Sequence, residues 1–164
     1  ATRGVTLSSP GYGAWAGGKG YPCRAIRDES HLFIRNFEPT RWPSGSPNAA
    51  DCARAIPYGE IDSSPTKTHM MENRNLPEVD RLAELAFGTR PGHELYDLRV
   101  DPGQLNNIAA LPEAASTLEA LNSRLMRHLA DTGDPRALGH DAPWDYYPYY
   151  GRRVNKDWEV DSRS

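Results

Sequence analysis

Apolar and polar side chains alternate in two short runs, and these set the first expectation. Tyr21 to Arg27 (YPCRAIR) and Leu32 to Phe37 (LFIRNF) partly follow the period of a half-buried strand. Asp28, Glu29, Ser30 and His31 between them favour a turn, so the pair predicts a β-hairpin. Glu94 to Leu98 (ELYDL) predicts a third strand, with a turn at Val100-Asp101-Pro102-Gly103. Elsewhere the period becomes helical. Leu76, Val79, Leu82, Leu85 and Ala86 predict a helix from Leu76 to Phe87, with Pro77 in its first turn and Gly88 at its end. The clearest helix runs from Pro112 to Ala130, where Leu118, Leu121, Leu125 and Leu129 make one apolar stripe. Pro112 and Glu113 suit its start. Arg124, Arg127 and His128 suit the negative end of its dipole, and Gly133 and Pro135 stop it.

Between these elements the chain is irregular. Glu38 to Pro57 contains Pro39, Pro43, Gly45 and Pro47, so it predicts a long loop, and long loops in compact domains are often functional. Tyr58 to Asp62 (YGEID) predicts a short extended piece, and Thr68 to Asn73 the start of a helix. Residues 1–19, rich in Gly, Ser and Ala, read as a linker or truncated lead-in. The tail has Trp144, Tyr146, Tyr147, Tyr149, Tyr150 and Trp158 among polar residues, the composition of a segment docked on a surface. The expected organisation is therefore a lead-in at 1–19, a subdomain at 20–135 and an aromatic-rich tail at 136–164. The expected fold class is α+β, a small antiparallel sheet packed by a long C-terminal helix, with long Pro/Gly-rich loops.

Composition fits this picture. Of 164 residues only 38% are hydrophobic, while 14 are Gly and 14 are Pro, as expected of a small core with turn-rich connections. The net charge is -3 with signs mixed along the chain, so no basic stripe suggests nucleic acid as a partner. No apolar run approaches the ~18–20 residues needed to span a bilayer. Cys23 and Cys52 are the two cysteines, and neither lies in a CxxC. Two separate thiols is the simpler reading; a disulfide between them would need an oxidising compartment.

Tests for a self-contained active site fail one by one. No GxSxG elbow supports a Ser–His–Asp triad. His31, His69, His93, His128 and His140 form no HxxxH or HExxH pair, which leaves a zinc site without support. Gly17-Gly18-Lys19-Gly20 misses the spacing of a phosphate loop and precedes a strand pattern rather than a helix. The carboxylates Asp97, Asp101, Asp131 and Asp134 are individually ordinary surface charges. The run from Glu60 to Lys67 is richer: a polar loop stiffened by Pro65, with Lys67 as a point charge and Ser and Thr hydroxyls as donors, has the chemistry of an anion site. An exposed turn is the plainer reading of the same residues.

Several blocks in order carry a resemblance: YPCRAIR, FIRNFEPTRWPSG, YGEIDSSPTK, LAFGTRP and ELYDLRVDPGQLNNIA. Over about Tyr21 to Pro135, and again in the tail at PWDYYPYYG, the chain resembles the C-terminal region of arylsulfatase-superfamily enzymes. It most resembles the heparan N-sulfatase-like (N-sulfoglucosamine sulfohydrolase) branch. That resemblance implies a C-terminal subdomain of about four antiparallel strands packed by a long helix, beside a large N-terminal α/β catalytic domain. It also implies a formylglycine nucleophile made from the Cys or Ser of C/S-x-P-x-R, a calcium ion held by Asp and Asn, and Lys and His partners.

This chain lacks that motif. Cys23 is followed by Arg24-Ala25-Ile26 and Cys52 by Ala53-Arg54-Ala55. Ser63-Ser64-Pro65-Thr66-Lys67 places Lys where the motif has Arg, and it coincides with the family's own SPTK block. No catalytic or metal-binding residue carries over, and no cofactor is expected on this chain; calcium and formylglycine are expected in an N-terminal catalytic domain, its implied partner. The subdomain is expected to supply a wall of the cleft for a sulfated carbohydrate. The first candidates are Lys67, Glu60, Asp62 and Thr66, and the second are Arg41 and Trp42. Arg24, Arg27 and Arg35 on the hairpin fit structural ion pairs instead. The resemblance further implies export to a periplasm, lysosome or medium. Two competing readings are a non-catalytic carbohydrate- or protein-binding module that shares the subdomain fold, and a chain active alone through Ser63 or Cys23.

Overall fold

A computed structural model of the chain describes residues 20–52 and 55–146. The lead-in at 1–19, with its Gly17-Gly18-Lys19 run, and most of the aromatic tail lie outside the described residues. The chain divides into two compact units. A sheet unit takes Pro22–Pro39 and Arg90–Ala142, and a loop-and-helix unit takes Thr40–Thr89 together with the described residues at 20–21 and 143–146. In sequence, the stretch Thr40–Thr89 is an excursion between two stretches of the sheet unit.

The sheet unit holds three antiparallel strands, β1 (Cys23–Arg27), β2 (His31–Asn36) and β3 (His93–Asp97), in the order β1-β2-β3. The hairpin predicted from alternation forms, and its turn is set by Asp28, whose carboxylate accepts from the N–H groups of Ser30 (2.8 Å) and His31 (2.7 Å). Register places Ile26 opposite Phe33, and Phe33 opposite Leu95. These three fully buried residues lie on one face of the sheet, where Leu121, Leu125 and Leu129 of the long helix meet them in one core. Each such side chain stabilises the fold by about 1.5–3 kcal/mol. The expected α+β architecture is present. Three strands are found among the described residues, where the resemblance implied about four.

The long helix (Ala115–Asp131, entered through a tight turn at Pro112–Ala114) ends in a Schellman motif. The Asp134 N–H bonds to Leu129 O (2.8 Å) and the Gly133 N–H to Ala130 O (3.1 Å), with Gly133 at φ 72°. That turn aims Asp134 back at β1, where its carboxylate pairs with the Arg24 guanidinium at 2.8 Å. Arg35 donates to Asn122 of the same helix (3.0 Å) and lies over the Phe37 ring. Two of the three hairpin arginines are thus structural, while Arg27 is exposed.

The opposite face of the sheet carries a buried polar cluster. Glu94 accepts from Asn36 Nδ2 (2.7 Å) and from the Tyr96 hydroxyl (2.6 Å), which offsets the cost of burying a carboxylate. Burial first, and the Glu94 bond second, push the Tyr96 phenol above its ordinary range. The DPGQLNN block is a stitched loop. Asp101 accepts from the N–H groups of Leu105 and Asn106, and Asn107 accepts from those of Leu95 and Ala109. Its residues brace β3 by local side-chain to backbone bonds.

The loop-and-helix unit contains α1 (Pro65–Glu72) and α2 (Pro77–Phe87). The helix expected from Thr68 starts earlier, because Ser64 caps it by accepting from Lys67 N (3.1 Å) and Pro65 fits its first turn. Helix α2 buries Val79, Ala83 and Phe87, while Leu82 of the predicted stripe is exposed. A stripe read at i, i+3 drifts off the buried face when Ala83 and Phe87 define it.

Candidate functional site

All six candidate wall residues fall in the loop-and-helix unit, and the local fold explains how they are held. Pro39, Pro43, Pro47 and Pro57 prevent a regular ladder, so the loop folds on side-chain and single backbone bonds. The chain at 44–46 meets the chain at 58–60: Tyr58 N donates to Ser46 O (2.8 Å) and Glu60 N to Ser44 O (3.2 Å). Gly45 lies between at φ 88°, and a Cβ there would stand 3.0 Å from Gly59 N, so only glycine fits without a shift. The Ser44 hydroxyl donates to Ala86 O of α2 (2.9 Å).

The extended piece expected at Tyr58–Asp62 is a turn instead. Tyr58 has φ 49°, in the left-handed region, and Ile61 N donates back to Tyr58 O (3.1 Å). Alternation over five residues cannot reveal one left-handed residue, which reverses the chain. The Tyr58 ring stacks on Phe87 at 4.8 Å and 20°, and the Trp42 indole stands edge-on to Tyr58 at 6.1 Å and 66°.

Lys67 is only 6% exposed. Its ammonium donates to Tyr58 O (2.9 Å) and to Ile61 O (2.8 Å), so two of its three N–H groups are directed inward to the turn. Burial lowers its pKa, opposed by the nearby Cys52 and Asp62. Thr66, Asp62 and Glu60 are exposed. Arg41 is half-buried, with Nη1 donating to Gly20 O (3.1 Å). The structure thus joins Lys67 to Trp42 through Tyr58, a residue that sequence reading did not single out. Its signal was faint: a bulky residue before Gly59, in a loop whose other turns use Gly and Pro.

The cysteines are both free thiols. Burial pushes each thiol up, the reverse of what a nucleophilic thiolate needs. Ser63 is exposed just before the α1 cap. Among the described residues, no group of three or more His, Cys, Asp or Glu is placed to hold a metal ion. No described helix is long and apolar enough to cross a membrane.

No protein-family model matches the chain. Over 116 residues, 70% of its length, the chain is 27% identical to an ulvan-active sulfatase of Formosa agariphila. The match spans 18% of that protein's length, so the chain corresponds to under a fifth of it. The match does not single out the N-sulfoglucosamine branch. What the comparison supports is a distant relationship between this chain and part of a sulfatase.

Proposed function

We propose that this chain is the C-terminal region of a sulfatase that acts on a sulfated polysaccharide, and that it forms one wall of the substrate cleft. The observation that carries the reading is the similarity to an ulvan-active sulfatase across 70% of the chain. The α+β fold, with the long helix on a small antiparallel sheet, is consistent with it. The reaction on this reading is hydrolysis of sulfate esters, or of sulfamates if the enzyme belongs to the N-sulfoglucosamine branch. The formylglycine and calcium chemistry belongs to a catalytic domain outside these residues. The enzyme is exported on this reading, since polysaccharides of this kind lie outside the cell. The wall is formed by Arg41, Trp42, Glu60, Asp62, Thr66 and Lys67.

Sulfate release from ulvan and from N-sulfated glucosamine oligosaccharides, measured by ion chromatography, tests the reading. The full-length enzyme should release sulfate from at least one, and the 164-residue chain alone from neither. Saturable ulvan binding by a full-length protein that releases no sulfate would favour a binding module instead.

A further inference from the structure

We propose that His93 is an acid-sensitive latch: a proton taken up by its ring adds a third positive charge to a row of basic residues across the sheet and loosens the long helix from β2. The row follows from the register. Arg24 stands opposite Arg35, and Arg35 opposite His93. Each lies two residues from Ile26, Phe33 or Leu95, so the row is on the helix-covered face and takes one basic residue from each strand. Like charges directly opposite one another destabilise a sheet.

Counter-charge along the row is short. Asp134 pairs with Arg24. Arg35 donates to the neutral Asn122 amide of the long helix at 3.0 Å and lies over the Phe37 ring. The half-buried His93 ring stands 5.6 Å from that of Phe33, a fully buried core residue, and its backbone O accepts from Asn107 Nδ2. Of the β3 carboxylates, Glu94 lies on the opposite face with Asn36 and Tyr96, and Asp97, at the far end of the strand, is held by Arg99. Burial first, and Arg35 second, lower the pKa of His93. The folded ring is thus neutral at pH ~7, and the unfolded chain takes up the proton first, near the ordinary value of ~6.5. Stability is therefore full above that pH and falls below it, until the folded ring is protonated as well. The guanidinium that the new charge repels is the one that ties β2 to the helix at Asn122.

The test compares the 164-residue chain with its His93→Gln and Arg35→Gln variants. In an NMR titration the His93 ring should take its proton below pH ~6.5, and Arg35→Gln should move that midpoint upward. Hydrogen exchange, corrected for the intrinsic pH dependence of amides, reads the latch itself. Between about pH 7.5 and about pH 5 the wild-type chain should lose protection in the Ala115–Asp131 helix, and His93→Gln should lose less. A His93 midpoint at or above ~6.5 would overturn the proposal. So would helix protection that falls equally in wild type and His93→Gln, or does not fall at all. Should His93→Gln fail to fold, Arg35→Gln decides: an upward shift of the His93 midpoint supports the row, and an unchanged one refutes it.

Discussion

Replacing Asp134 with alanine should destabilise the sheet unit far more than the loss of a surface charge would. The Arg24 side chain is 5% exposed and that of Asp134 11%. Arg24 Nε and Nη2 both approach Asp134 Oδ2 at 2.8 Å, and Nη1 donates to Cys23 O. Without the carboxylate, a charged guanidinium stays buried beside the Cys23 carbonyl. Breaking a buried pair in this way costs about 3–5 kcal/mol, against about 0–1 for an exposed pair. Arg24→Met removes the charge itself and should cost less. The double variant Arg24→Met, Asp134→Leu should recover most of the Asp134→Ala loss, because apolar replacement of a buried pair is often neutral. Urea unfolding followed by far-UV circular dichroism gives the comparison, provided the slopes agree. A loss below about 1 kcal/mol, or one that disappears in about 1 M salt, would refute the account by showing the pair to be solvated.

Three further outcomes follow from the structure. Leu125→Ala, at a fully buried position beneath the sheet, should cost about 2–5 kcal/mol in the same urea experiment. Gly45→Ala should cost about 1–2 kcal/mol from its positive φ alone, with the 3.0 Å approach to Gly59 N adding to it; a shift in the thermal midpoint checks this. Above pH ~10, the ordinary phenol value, the unfolded chain ionises at Tyr96 while the fold keeps the proton, so stability is full below that pH and falls above it. Tyr96→Phe should flatten that alkaline decline, read from unfolding midpoints at a series of pH values.

The regular elements were legible because their signals are local. Alternation gave β1 and β2, and Leu121, Leu125 and Leu129 at helical spacing gave the face that covers them. Gly133 marked the end of the helix because only a left-handed residue completes that cap. The candidate site was legible in outline only. Chemistry-bearing residues between Arg41 and Lys67 could be named, but not where the Lys67 ammonium points. That direction depends on Tyr58, whose backbone is set by Ser46, Phe87 and Lys67 from separate parts of the sequence. Leu82 failed for a related reason: which face of α2 is buried depends on what Ala83 and Phe87 pack against.

The excursion from Thr40 to Thr89 has a consequence for the newborn chain. Asn36 bonds to Pro91 O and Gly92 O, so the strands on either side of the excursion close at one point. Closing a longer loop is cheap at equilibrium, about 0.6 kcal/mol for each doubling of length. In time it is not cheap. During synthesis the β1–β2 hairpin emerges well before β3, leaving the outer edge of β2 unpaired and Ile26 and Phe33 uncovered until the long helix arrives. Such an edge invites pairing with another chain. Arg24, Arg27 and Arg35, spaced through the hairpin, place positive charge on it over that interval, the kind of residue that opposes strand-to-strand association.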